Sequence, residues 1–283
     1  MTTKRTIARV PRRLGRFVFG CSALALGLVS AAAALTTFAP PSIGAEPGLT
    51  RRPVVHNNGG FRLLRFTGAP MKWGAGRLGR PAVVTWRVAK RTRHFEGARN
   101  CGAVTPIENA LAPSGIARDA FMEEMRAAMR MWEDAAGITF RKARRGEKAD
   151  LVVGAQLRPR GRAFTNVSAM RMVKVGARRR IDRLDQAIVC LNPQRPWKVG
   201  FDGNLKVYDL RHTLLHEFGH VIGLDHIGPS GAVMGFRYDE RHSGLTRGDV
   251  IGAQRLYGLP TFLAPRVPEN RALDPVLNLV SGR

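Results

Sequence analysis

Three histidines and one glutamate fall within the eleven residues His216–His226, which read H-E-F-G-H-V-I-G-L-D-H. Residues four apart share one face of an α-helix, so His216 and His220 would direct both imidazoles at one point, with Glu217 beside them. Gly223 can adopt a positive φ, which would end the helix and return His226 as a third ligand. We therefore predict that His216, His220 and His226 bind one catalytic Zn²⁺ and leave one coordination position open.

The chemistry that this arrangement predicts is hydrolysis. A zinc-bound water has a lowered pKa, and Glu217 would take its proton as the water attacks a scissile carbonyl. A lone histidine such as His212 is better explained as an ordinary packed residue, but three at this spacing are not. The sequence predicts a zinc-dependent endopeptidase that hydrolyses peptide bonds through a zinc-bound water activated by Glu217.

Net charge is the unusual bulk property of this chain. Its 283 residues carry 46 Lys and Arg against 21 Asp and Glu, a net charge of +25, whereas 44% apolar residues are ordinary for a globular core. The histidine motif predicts a protein or peptide substrate, and a charge of this size leaves open that the substrate is acidic. The basic residues are scattered, apart from Arg178–Arg180, and lack the signatures of RNA-binding sheets or zinc-finger repeats. No specific nucleic-acid binding is expected.

Residues 1–45 are predicted to be an export signal. Six basic residues precede the uncharged stretch Phe17–Leu35, and Gly44-Ala45 offers a small-residue cleavage site. The adjacent Arg12-Arg13 fits twin-arginine export. An uncleaved anchor is the alternative, because the 19 uncharged residues approach the length of a membrane span. The protein is therefore expected to be periplasmic or secreted, and to meet the membrane only if this segment is retained.

The cysteines agree with an oxidising compartment. Cys21 lies in the predicted signal, which leaves Cys101 and Cys190 as an even pair. We predict a disulfide between them, with two separate buried thiols as the alternative.

The rest of the chain divides into three parts. Residues 46–79 are rich in Gly and Pro and are predicted to be a linker or arm, residues 80–258 to be the main domain, and residues 259–283 to be a Pro-containing tail. Apolar spacing in the domain predicts strands at 82–88, 138–140, 150–153 and 187–191, helices at 116–136, 206–223 and 246–257, and a long loop over 90–115.

Several of these stretches resemble the metzincin peptidases, and among them the matrixin-like catalytic domains. The resemblance covers about Pro81 to Gly258 and is carried by His216–His226, by Ala232–Met234 as the Met-turn, and by the closing stretch Leu245–Gly258. It implies an α+β, metzincin-like zincin fold, in which a twisted mixed β-sheet lies over the active-site helix and a smaller C-terminal subdomain follows. The predicted order of strands and helices fits that fold.

The resemblance also assigns roles to single residues. Met234 would lie beneath the three histidines as an apolar floor, and Gly223 would turn the chain toward the third ligand. Other metzincins carry Tyr two residues after the Met, where this chain has Phe236. Tyr238 is therefore the candidate left for stabilising the anion of the reaction.

Two departures from the family limit the cofactors. No histidine lies between His94 and His212, and acidic calcium-binding loops are not evident, so we predict neither structural zinc nor calcium. Two other functions stay open. One is a catalytically silent zincin fold that binds an anionic partner through its basic surface, although Glu217 argues against silence. The other is hydrolysis of a non-peptide amide.

Overall fold

The structure is a computed structural model that describes residues 60–65, 68–170, 181–228 and 231–260. The predicted export signal with Cys21, the first part of the predicted linker or arm, Arg178–Arg180 and the tail beyond residue 260 lie outside these residues. The strands are β1 Arg62–Leu63, β2 Met71–Lys72, β3 Ala82–Val88, β4 Arg93–His94, β5 Ala103–Thr105, β6 Ile138–Lys142, β7 Leu151–Gln156, β8 Ala163–Met170, β9 Asp182–Leu191, β10 Trp197–Lys198, β11 Tyr208–Asp209 and β12 Leu224–Asp225. The helices are α1 Glu108–Leu111, a 3-10 turn at Ala112–Ser114, α2 Arg118–Ala135, α3 Leu210–Val221 and α4 Arg247–Tyr257. Within this described part, no helix is long and apolar enough to cross a membrane.

A mixed sheet supports the helices. Its strands β6, β3, β7 and β9 run parallel in that order, and β8 lies antiparallel to β9. Strand β2 pairs in parallel with one end of β9, while β5 and then β4 add antiparallel beside β7. Among the described strands, β8 pairs with β9 alone, so its second edge is open for pairing. This mixed sheet with few helices agrees with the metzincin fold that the sequence predicts.

Side chains of the central strands alternate between two apolar clusters, one on each face of the sheet. Val84 of β3 and Val189 of β9 enter the main core together with the buried face of α2. Ile188 and Cys190 of β9 join a smaller cluster that also contains Val152 of β7. The main core therefore fills the space between the sheet and the helices, and the smaller cluster covers the opposite face.

Helix α3, which carries the histidine motif, is fixed against α2. Trp132 donates its indole N–H to the backbone carbonyl of Leu215 at 2.9 Å inside the core. Glu124 accepts two hydrogen bonds from the Arg211 guanidinium, at 2.6 and 2.9 Å. Asp209 caps the start of α3 by accepting the His212 N–H at 2.8 Å. These contacts fix the position of α3 relative to α2.

The structure changes the prediction for residues 90–115. This stretch is not one long loop, because β4, β5 and α1 lie within it. Val104 of β5 pairs with Gln156 of β7, which draws the β4–β5 hairpin onto the sheet. Strand β8 was not predicted, because its residues are mostly half-buried and give only a weak apolar alternation. Strand β9 begins at Asp182, five residues before the predicted start.

Part of the predicted linker or arm packs on the domain. Strand β1 pairs with β12, immediately before His226, and β2 pairs with β9. Trp73 is buried and donates its indole N–H to the backbone carbonyl of Val221 at 2.7 Å. The described residues of this stretch therefore form an arm that supports the end of α3.

Cys101 and Cys190 are joined by a disulfide inside the smaller cluster, with their Cα atoms 6.4 Å apart. The bond ties the loop between β4 and β5 to strand β9. By loop-closure entropy alone, a cross-link across 89 residues is worth about 4–5 kcal/mol of stability. The smaller cluster and the disulfide together secure the loop 95–100, in which Asn100 donates its backbone N–H to Asn166 Oδ1 of β8 at 3.3 Å.

Candidate metal centre and its cleft

Three imidazoles converge where α3 ends. His216 and His220 lie one turn apart on α3, and His226 directly follows β12. The Nε2 atom of His226 lies 3.2 Å from that of His216 and 3.3 Å from that of His220. In the described part of the chain, this is the one group of His, Cys, Asp or Glu side chains suited to hold a metal ion.

Backbone carbonyls set the protonation of two of these rings. His216 Nδ1 lies 2.6 Å from the Val233 carbonyl oxygen, and His220 Nδ1 lies 2.9 Å from that of Leu224. Because a carbonyl only accepts, each Nδ1 carries the proton and each Nε2 presents a lone pair to the centre. Lone pairs facing each other at this separation repel unless a cation lies between them. A tetrahedral zinc with Zn–N bonds of about 2.0–2.1 Å holds its ligand nitrogens about 3.3 Å apart. The two separations from His226 match this value and all three ligand atoms lie within 4.8 Å of one another, so these residues are suited to zinc.

Electrostatics favour the metal-binding form of all three imidazoles. Burial lowers the pKa of His216 and lowers that of His220 well below its usual value. Burial also lowers the pKa of His226 to about 4, with a smaller contribution from the charge of His216. At neutral pH the rings are therefore uncharged, and protons do not compete with a metal for Nε2.

Glu217 lies beside the triad on the same helix and is buried. Thr165 of β8 donates its hydroxyl to Glu217 Oε2 at 2.6 Å. Burial raises the pKa of Glu217 to about 7, and the hydrogen bond from Thr165 opposes that rise. A carboxyl group with a pKa near neutrality can both accept and return a proton. Nothing in the sequence singled out Thr165, since it lies 52 residues from Glu217 in a strand that was not predicted.

Close packing forms the floor of the centre. Met234 is buried, and a Cβ added at Gly219 would collide with its sulfur atom. Gly223 has a φ of 99°, and a Cβ there would collide with the backbone oxygen of Met71. Met234 thus packs against Gly219 of α3, and Gly223 has the positive φ that the predicted turn requires. The sequence reasoning did not identify Gly219, whose missing side chain lets Met234 approach the helix.

Asp249 connects helix α4 to the metal centre. It completes a capping box with Thr246. The Asp249 carboxylate accepts hydrogen bonds from the backbone N–H of Thr246 at 2.8 Å and from its hydroxyl at 2.7 Å. The same carboxylate accepts the backbone N–H groups of Val233 and Met234 at 3.2 and 3.4 Å. Val233 in turn supplies the carbonyl that orients His216. In the sequence, Asp249 is one residue of the closing stretch Leu245–Gly258, and no local pattern indicates that it binds the Met-turn.

Tyr238 does not direct its hydroxyl at the histidines. The hydroxyl donates to Glu240 at 2.7 Å and accepts the Asp209 N–H at 2.8 Å. Burial and the neighbouring Glu240 raise the pKa of Tyr238 far above its usual value. The hydroxyl proton of Tyr238 therefore lies in the hydrogen bond to Glu240, which argues against the predicted anion-stabilising role. Phe236 is the aromatic residue at the centre, stacked on His226 with ring centroids 4.1 Å apart.

The centre opens into a cleft of about 850 Å³. Strand β8 forms one wall, the segment after the Met-turn forms another, and the loop 95–100 contributes to the rim. This volume is in the range of pockets that accept ligands of substantial size. The histidines and Glu217 line the cleft, so a ligand held there would reach all four side chains.

Comparisons with known proteins agree with this geometry. Residues 107–258 match a family model described as matrixin. Human stromelysin-3 is 26% identical to this chain over 149 residues, which cover 52% of the chain and 29% of that protein. The chain thus spans less than a third of the length of this curated relative.

Proposed function

The chain belongs to the matrixin family, and from this membership and the geometry of the centre we propose that it is a zinc-dependent endopeptidase. The observation that carries the proposal is the convergence of the three Nε2 atoms of His216, His220 and His226 beside the buried Glu217. His216, His220 and His226 are the proposed zinc ligands. Met234, Gly219 and Gly223 support them by packing and by the turn after α3.

The chain's own residues account for the proton transfers of peptide hydrolysis. When bound, zinc supplies Lewis-acid chemistry that activates water near neutral pH and polarises the scissile carbonyl. Glu217 accepts the proton of the attacking water and delivers it to the leaving amine. Thr165 fixes the orientation of the Glu217 carboxylate during both transfers. The backbone carbonyls of Val233 and Leu224 keep two ligands in the productive tautomer.

The proposed substrate is a protein or peptide that binds in an extended conformation. Strand β8 borders the centre and, among the described strands, has a free edge to which a peptide can add by backbone hydrogen bonds. The proposed site of action is outside the cytoplasm, periplasmic or secreted. The basic and apolar pattern of residues 1–45 supports this location, and so does the disulfide between Cys101 and Cys190.

Metal content and proteolysis, measured together, test the proposal. We expect the full chain to contain one zinc ion per molecule by elemental analysis and to cleave unfolded casein. Removal of the ion by a chelator should abolish cleavage, and added zinc should restore it. The His226→Ala variant serves as the control that loses a ligand. Zinc without casein cleavage would favour the catalytically silent fold, and absence of zinc would contradict the metal centre itself.

Replacing Thr165 with Val should lower kcat for peptide hydrolysis by about 10- to 100-fold, because a hydrogen bond to a charged group contributes about 1.5–3 kcal/mol. Val keeps the shape of Thr but cannot donate to Glu217. KM should change little, since the hydroxyl faces Glu217. The Thr165→Ser variant retains the donor and should recover most of the activity. Equal losses in the Val and Ser variants would show that Thr165 contributes through packing alone.

A further inference from the structure

We propose that the cleft selects peptides with carboxylate side chains near the scissile bond, and that Arg65, Arg99 and Arg237 are the residues that select them. This inference rests on the proposed endopeptidase function and names the substrate class of the same site. The three arginines come from three separate segments: the arm before β2, the loop between β4 and β5, and the segment after the Met-turn. All three are exposed and line the cleft.

These arginines lack carboxylate partners within the described residues. Arg65 donates to the backbone carbonyl of Gly68 at 2.5 Å, and neither Arg99 nor Arg237 forms an ion pair there. Four arginines outside the cleft do pair with acidic side chains: Arg118 with Glu108, Arg141 with Glu147, Arg211 with Glu124 and Arg241 with Asp239. No carboxylate of the described residues therefore neutralises these three guanidinium groups at the cleft.

The acidic residues that line the cleft do not balance this charge. Glu217 is buried beside the histidines, and Asp225 already pairs with Arg62 at 3.1 Å. Glu96 is the third acidic residue of the lining, and it is exposed. The rim of the cleft is therefore positively charged, as is the chain as a whole, with a net charge of +25. A concave wall of low polarity concentrates the electrostatic field of these charges.

A fourth arginine of the lining is already engaged. Arg162 stacks over the ring of Tyr208 at 3.9 Å and donates to the backbone carbonyl of Lys206 at 2.7 Å. Arg162 adds positive charge to the wall, but its guanidinium is held in place. Arg99 and Arg237 are free to form two-pronged hydrogen bonds with a carboxylate, and Arg65 has further N–H groups beside the one bonded to Gly68. Neutral Gln or Asn side chains cannot accept such bonds equally well.

Paired peptides test this selection. A sequence is taken from a casein site that the protein cleaves, and a twin of equal length replaces every Asp and Glu with Asn and Gln. We expect the full, zinc-loaded chain to hydrolyse the acidic peptide with a kcat/KM at least about tenfold higher, an advantage that shrinks as salt is added. In the R65Q/R99Q/R237Q variant the advantage should fall to within about twofold.

A second triple variant, R126Q/R145Q/R255Q, controls for net charge. These arginines are also exposed, lie outside the cleft, and their replacement changes the charge by the same amount. This variant should keep the full preference for the acidic peptide. Equal rates of the parent on both peptides would overturn the inference and leave the endopeptidase intact, as would equal losses in the two triple variants. Failure of the parent to cleave either peptide or casein would instead contradict the proposed function.

Discussion

Glu217→Gln should lower kcat/KM for peptide hydrolysis by about 10³-fold while the protein still contains one zinc ion per chain. Gln has nearly the shape of Glu and can still accept the hydrogen bond from Thr165, but its amide cannot take a proton from water. General base catalysis contributes about 10² to 10⁴ to the rate. The loss should appear mainly in kcat, because the carboxylate acts on the attacking water and not on substrate binding.

The measurement pairs steady-state kinetics on a casein-derived peptide with elemental analysis for zinc. Glu123→Gln is a matched control, since it makes the same chemical change on the exposed face of α2. That variant should keep both zinc and activity. If Glu217→Gln kept its activity within tenfold of the parent, another group would have to carry the proton. If it lost zinc, the result would report damage to the centre and contradict the separate roles assigned to base and ligands.

The spacing of residues on one helix explains why the sequence alone indicates the proposed ligands and the proposed base. Once this segment is an α-helix, the positions of His216, Glu217 and His220 relative to one another follow from helical geometry alone. Predicting His226 as the third proposed ligand also required the positive φ that is available to Gly223. Contacts across the fold carry no such local signal. Thr165, the Val233 carbonyl and the second role of Asp249 depend on how distant segments pack.

The same distinction holds for the strands. Residues 82–88 and 138–140 were predicted because β-branched and aromatic side chains are concentrated there, as buried parallel strands require. Strand β8 is an edge strand, and β4 and β5 are short and depend on pairing with β7 for their stability. The arm around Trp73 is rich in Gly and is held by a hydrogen bond to the end of α3. A pattern over a few neighbouring residues does not encode such partners.

Asp249→Ala should lower the free energy of unfolding by about 3–5 kcal/mol. The substitution leaves the buried N–H groups of Val233, Met234 and Thr246 without their carboxylate acceptor, and each such group costs about 1–3 kcal/mol. It also removes the cap of α4. Because the Val233 carbonyl orients His216, zinc affinity should fall as well, by about 10- to 100-fold.

Thr246→Ala separates capping from support of the metal centre. It removes the hydroxyl of the capping box but leaves the Asp249 contacts to Val233 and Met234 in place. This variant should lose only about 1 kcal/mol, the usual worth of a cap, and should bind zinc like the parent. Urea unfolding and a competitive zinc titration supply the two numbers. If both variants lost equal stability and bound zinc equally well, Asp249 would act only as a helix cap. The connection from α4 through the Met-turn to His216 would then contribute neither to the free energy of unfolding nor to zinc affinity.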